Sequence, residues 1–274
     1  MKQKICLTIA GLDPSGGAGI IADIKTFTAF ECFATAAIVS LTFQNTQGVF
    51  GAENQSAETV RNQILPILDD FEIAALKTGM LPTREIIEET ARIIAENNLK
   101  NFVVDPVVRS TSGFDLIDDK ALRVLIEKLF PLSTVITPNI PEAERIAEMK
   151  IENVEDIKKA AKIMQSFGAK NVLIKGGHIP IADLGVGISD SARTAKDFLF
   201  VGEDLHVFED EFIETNATHG TGCTLAAAIT ANLALGKDLI EAVAISKRFV
   251  TAAIRTAPNL GKGHSPINHL VREF

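Results

Sequence analysis

The sequence predicts an α/β fold: a central, mostly parallel sheet with helices on both faces and a small antiparallel edge. Three observations carry that expectation. Strand-like and helix-like segments alternate along most of the 274 residues. Several strand-like segments are near-continuous apolar runs, as strands covered on both faces must be. Six strand ends are followed by small or polar residues, which places a candidate site beyond the carboxyl ends of the strands.

Taken in order, residues 4–10 read as the first strand and 18–30 as a helix. Residues 33–41 are the second strand, and 57–70 a helix closing on an acidic end. Residues 73–78 form a short strand. Helix 83–97 opens on a threonine cap, Thr83, with Glu85 in its first turn. Strand 101–105, helix 118–128, strand 134–137, helices 141–149 and 154–167 and strand 171–175 follow. Between 183 and 215 the character changes. There the alternating segments 196–201 and 205–211, joined by Gly202-Glu203-Asp204, read as an antiparallel hairpin at one edge. Helices 221–235 and 238–256 close the fold. No linker, internal repeat or low-complexity tract interrupts this order, so residues 1–274 are read as a single domain.

With 46% hydrophobic residues the chain can bury a large core. A net charge of −8 argues against a nucleic-acid surface or a polybasic membrane anchor. No apolar run reaches the roughly 18 residues of a spanning helix. The apolar start ends at Gly11 and runs into Asp13-Pro14-Ser15, so it reads as a strand and not as a leader. Cys6, Cys32 and Cys223 form neither a disulfide framework nor a metal-ligand pattern, which fits a reducing cytoplasm. The expected assembly is a homodimer.

Thr218-His219-Gly220-Thr221-Gly222-Cys223 is a glycine turn feeding a long Ala/Leu helix. The first amides of such a helix lack intrahelical partners and suit a phosphate or a developing negative charge. A thiol at the junction adds a group capable of acid–base work. The same residues would also suit a tight turn holding an inert cysteine. The loop 11–19 follows a strand and opens a helix, but it lacks the dinucleotide glycine spacing, and no P-loop motif exists in the chain. Asp23 lies in the following helix, close enough to the loop to face a ligand. Asp105 ends a buried strand, where a carboxylate needs a partner or a metal. Asn139 and Glu142 open a helix, either as ordinary N-terminal chemistry or, for Glu142 with Asp105, as hard oxygen ligands for Mg²⁺, direct or through water. Lys175 ends an apolar strand before Gly176-Gly177 and can reach a phosphate as a point charge.

Asp13-Pro-Ser-Gly-Gly-Ala-Gly19, Gln44-Asn45-Thr46, Lys77-Thr-Gly-Met80, Asp105-Pro106-Val107, Thr137-Pro-Asn139 with Glu142, Lys175-Gly-Gly-His178, Thr218-His-Gly-Thr-Gly-Cys-Thr224 and Gly261-Lys-Gly-His264 occur in this order. Together they resemble the hydroxymethylpyrimidine/phosphomethylpyrimidine kinases of the ribokinase superfamily. The resemblance implies a ribokinase-like fold and ATP- and Mg²⁺-dependent phosphorylation of an aminopyrimidine alcohol and then of its monophosphate. It implies a pyrimidine pocket from Gly11, Asp23, Gln44, Met80 and Val107. Asp105 and Glu142 would hold the metal, with Asn139, Lys175 and Gly177 on ATP. The amides of Gly220, Thr221 and Gly222 would form an anion hole with Cys223 as the base, its pKa expected to be lowered by the helix N-terminus. Asp13 and Pro14 would shape the loop. A pyridoxal or pyridoxine kinase and a catalytically silent pyrimidine-binding protein are the competing readings.

Overall fold

The computed structural model describes residues 3–108, 116–176 and 194–274. Among the described residues the strands form one nine-stranded sheet in the order β3-β2-β1-β4-β5-β6-β7-β8-β9. The strands are β1 (Ile5–Leu12), β2 (Phe33–Asn45), β3 (Gly48–Asn54), β4 (Ile73–Thr78), β5 (Phe102–Val104), β6 (Val135–Ile136), β7 (Asn171–Lys175), β8 (Thr194–Val201) and β9 (Asp204–Glu211). The helices are α1 (Gly19–Ala29), α2 (Ala57–Asp70), α3 (Arg84–Glu96), α4 (Asp119–Leu129), α5 (Ile140–Ala147), α6 (Val154–Ser166), α7 (Thr221–Ala234) and α8 (Leu239–Arg255). Strands β2, β1, β4, β5, β6 and β7 pair in parallel, while β3, β8 and β9 are antiparallel additions at the two sides.

The apolar runs are explained by burial on both faces, with successive side chains pointing to opposite sides. Phe102, Val104, Ile136 and Val172 join a core that also contains Ile86 of α3, Leu125 of α4, Ile146 of α5 and Ile157 of α6. Their neighbours Val103, Val135 and Leu173 face the other way, into a core with Leu225 and Ile229 of α7 and Val243 and Phe249 of α8. Helix α7 is buried from Thr224 to Ala234. Its small side chains let it lie close to the sheet and to both α1 and α8. Helix α2 carries Pro66 inside it, and the side chain of Ser56 caps its N-terminus.

The predicted elements are present, with two differences on the β2 side. The second strand does not stop at Leu41 but runs to Asn45, and it returns through Thr46-Gln47 as β3, which the sequence reading did not anticipate. The reason is exposure. Phe43 and Phe50 are solvent-exposed, and β3 contains two glycines and no apolar run, so neither segment carries a strand signal that depends on burial. A short 3₁₀ turn at Phe130–Leu132, built on Pro131, also follows α4 unannounced. None of the described helices is long and apolar enough to cross a membrane.

Candidate active site

The parallel strands end at one edge of the sheet, and there the N-terminus of α7 meets them over a cavity of about 510 Å³. Gly11, Gln44, Met80 and Val107 line it, as do Asp105, Asn139, Glu142 and Lys175 and the turn Gly220–Cys223. On the β2–β1–β4 side Met80 lies directly over Gly11. A Cβ at position 11 would come within 2.5 Å of its terminal methyl, so the glycine makes the seat for that side chain.

The loop after β1 is built on Asp13, which is 1% exposed. Its carboxylate accepts the amides of Ser15 (2.8 Å), Gly17 (3.1 Å) and Ala18 (2.8 Å) and the hydroxyl of Ser15 (2.7 Å). Nε2 of His219 donates to it at 2.7 Å. Burial alone would raise this carboxyl, but the bonds from His219 and Ser15 and the His219 charge overcome that and hold it at about 2. The same contact draws the loop onto the turn before α7. Gly220 there has φ +82°, and a Cβ would overlap the Gly17 carbonyl oxygen, so only glycine fits.

Cys223 sits in the first turn of α7, and the backbone N–H of Gly19 at the start of α1 favours the charged form of its thiol. Two helix N-termini therefore face one thiol. The expected lowering of its pKa is overturned, because burial pushes the thiol up to about 12. The Lys77 ammonium and the Gly19 amide work against that rise, and the charges of Asp105 and Asp23 add to it. Desolvation of the charged form outweighs the favourable dipoles.

Lys175 reaches Asp105 at 2.9 Å, and Thr137 donates its hydroxyl to the same carboxylate oxygen at 3.1 Å. Burial disfavours the ammonium, yet Asp105 and Glu142 hold its pKa above the ordinary lysine value. A Cβ on Gly222 would lie 3.2 Å from Lys175 Nζ, so the cation stands against the amide turn of α7. Asn139 and Glu142 form a reciprocal capping box at the start of α5, each bond 2.8 Å. Glu142 is 5% exposed, and burial raises its carboxyl to about 7 against the lowering effect of Lys175.

One pocket residue is corrected. Asp23 does not line the cavity. It is fully buried beneath the wall, where its carboxylate bonds Lys77 Nζ at 2.8 Å and the Thr8 hydroxyl at 2.6 Å. The wall residue at that point is Lys77, likewise 0% exposed, and the sequence reading gave it no role. The signal was there as a lysine within an apolar strand. Asp197 of β8 and Lys247 of α8, to which the sequence also gave no role, line the cavity too. Gly177 lies outside the described residues.

This arrangement offers a carboxylate pair, a paired lysine and an amide turn beside a separate small-molecule seat. The model of the phosphomethylpyrimidine kinase family matches residues 13–268. The chain belongs to that family. The hydroxymethylpyrimidine/phosphomethylpyrimidine kinase of Haemophilus influenzae is 43% identical over 267 residues, covering 97% of this chain and 96% of that protein. The thiamine biosynthesis bifunctional protein ThiED of Geobacter sulfurreducens is also 43% identical, over 97% of this chain. The chain spans only 52% of that longer relative. Among solved structures, an ADP complex of Bacillus subtilis pyridoxal kinase superposes with a TM-score of 0.86 at 38% identity, covering 98% of both chains. The fold is therefore that of the ribokinase-like kinases.

Proposed function

We infer that this protein is the hydroxymethylpyrimidine/phosphomethylpyrimidine kinase of thiamine biosynthesis. It transfers the γ-phosphoryl group of ATP to the hydroxymethyl of 4-amino-5-hydroxymethyl-2-methylpyrimidine and then to the resulting monophosphate. The observation that carries this reading is the cavity itself, in which the Gly11–Met80 seat is joined to the Asp105–Lys175 pair and the α7 amide turn. Family membership and the ADP complex of a structural relative support ATP as the phosphoryl donor.

In this reading Gln44 hydrogen-bonds the aminopyrimidine and Met80 packs on its face. Lys175 and the amides of Gly220–Cys223 stabilise charge on the transferred group, which is most of what phosphoryl transfer requires. Cys223 serves as base only as the thiolate: its own proton leaves to solvent first, and the sulfur then takes the alcohol proton as the oxygen bonds to phosphorus. Asp105 and Glu142 suit Mg²⁺ as two hard oxygen donors that leave room for phosphates and water. Both Glu142 oxygens face backbone amides, which favours contact through water for that residue. When bound, the metal would supply charge neutralisation on the phosphates.

Purified protein supplied with ATP, Mg²⁺ and the pyrimidine alcohol should yield mono- and then diphosphate. Turnover of pyridoxal with none of the pyrimidine would replace this reading by the pyridoxal kinase that the structural likeness also favours. We further propose that the chain acts as one domain in a cytoplasmic homodimer. Exposed Phe43 and Phe50 beside the edge strand β3 support the dimer, and sedimentation would test it.

A further inference from the structure

On the β7–β8 side of the cavity, away from the Gly11–Met80 seat, a further buried ion pair has no part in the chemistry above. Lys247 of α8 places Nζ 2.8 Å from Asp197 Oδ2 on β8, and the two residues are 8% and 4% exposed. Both line the cavity. Stability does not explain such a pair, because desolvating two charges costs about as much as their attraction returns, and apolar replacements often serve equally well.

The other carboxylate oxygen is what sets the pair apart. Asp197 Oδ1 accepts the N–H of Gly176 at 3.0 Å, and Gly176 directly follows Lys175. Lys175 and Asp197 lie opposite each other in the β7–β8 ladder. At position 176 the backbone runs so close to β8 that a Cβ would overlap the Lys196 carbonyl oxygen. On the other flank, the Lys175 N–H donates to the Pro138 carbonyl at 2.8 Å. The strand end that carries the Asp105-paired lysine is thus held from both sides. One of those holds is a carboxylate whose second oxygen is fixed by a cation on α8.

We propose that the Lys247–Asp197 pair positions the Lys175-Gly176 strand end for the phosphates of the nucleotide, so that a charge on α8 sets how tightly the enzyme holds ATP. The proposal rests on the kinase reading above. Asp197 acts through the Gly176 amide and Lys247 acts through Asp197, so both are positioning residues.

The test compares three variants of the full chain with wild type. Asp197→Ala removes the acceptor for Gly176. Lys247→Met leaves the acceptor but frees it to turn. The double variant Asp197→Asn with Lys247→Met restores a neutral acceptor of the same shape without the cation. KM for ATP and KM for the alcohol are measured separately, and ADP binding is followed by calorimetry on the folded protein.

Asp197→Ala should raise KM for ATP and Kd for ADP about tenfold or more, the weight of a charge-assisted hydrogen bond, with KM for the alcohol unchanged. Lys247→Met should show a smaller rise, and the double variant should recover most of the Asp197→Ala loss. An unchanged ADP affinity in Asp197→Ala, an equal rise in both KM values, or a double variant no better than Asp197→Ala would overturn the proposal. Should Asp197→Ala fail to fold, Lys247→Met alone must weaken ADP binding, and an ADP affinity equal to wild type overturns the proposal. The ADP measurement needs no acceptor alcohol, so the pair is tested even if the pyrimidine proves to be the wrong substrate.

Discussion

Cys223 is a protonated thiol in the resting protein, and this separates its reactivity from that of a free cysteine. With its pKa pushed up to about 12, against about 8.5 for an unperturbed thiol, iodoacetamide at pH 8 should alkylate it orders of magnitude more slowly than a free thiol. Peptide mass spectrometry after timed labelling checks this, and rapid labelling would contradict it. Replacing the thiol by a carboxylate has a different consequence. Cys223→Asp places a fixed negative charge among the first backbone amides of α7, so it should reduce the second phosphorylation, whose acceptor is already anionic, more than the first. The ratio of mono- to diphosphate product reads that out. Asp13 bears on stability. Its folded pKa is lowered to about 2 from 3.8, so its contribution is fully present above the unfolded value and is lost as pH falls through the folded one. Asp13→Asn should cost about 2 kcal/mol at pH 7, and urea titrations should show the gap to wild type closing between pH 4 and pH 2. At this scale Asp105, Asn139, Glu142 and Lys175 were legible because each is polar where an apolar run stops. Lys77 stands out locally as a lysine in an apolar strand, but its pairing with Asp23 does not, since it joins β4 to α1 across 54 residues.

Among the elements, α5 shows how capping and chemistry share residues. The box between Asn139 and Glu142 closes the helix start, while the same side chains line the cavity. Asn139→Ala should therefore destabilise the fold by about 1 kcal/mol, the ordinary worth of an N-cap, and also raise KM for ATP. Thermal melting and initial-rate kinetics separate the two effects. The helices and inner strands were readable because burial gives them a period. The β2–β3 hairpin was not, because its outward Phe43 and Phe50 break the alternation that a half-buried strand should show. The functional turn before α7 was ambiguous on its own. It became interpretable only through the strand ends that meet it, a property of topology that no single segment contains.

The molecule as a whole offers one more measurement. A nucleotide that binds only the folded state at 100 times its Kd adds about 2.7 kcal/mol, which for a chain of this size corresponds to roughly 5–10 °C in Tm. ADP with Mg²⁺ should produce such a rise, and the absence of any shift would count against the nucleotide site. The parallel order of the sheet was predictable from alternation. The assignment of α2 to α6 to one face and of α7 and α8 to the other follows from which apolar residues share a core.

The contact between Asp13 and His219 spans 206 positions of the chain, and the backbone of His219 is held in turn by the Ser265 carbonyl. The turn before α7 therefore depends on contacts from both the first loop and the segment around Pro266. A nascent chain can complete much of its parallel sheet while the turn before α7 still lacks its partners. The first loop can meet that turn as soon as His219 is made, whereas the hold from Ser265 comes later in the chain. A chain stopping before Ser265 would keep the sheet but leave the turn before α7 without that hold.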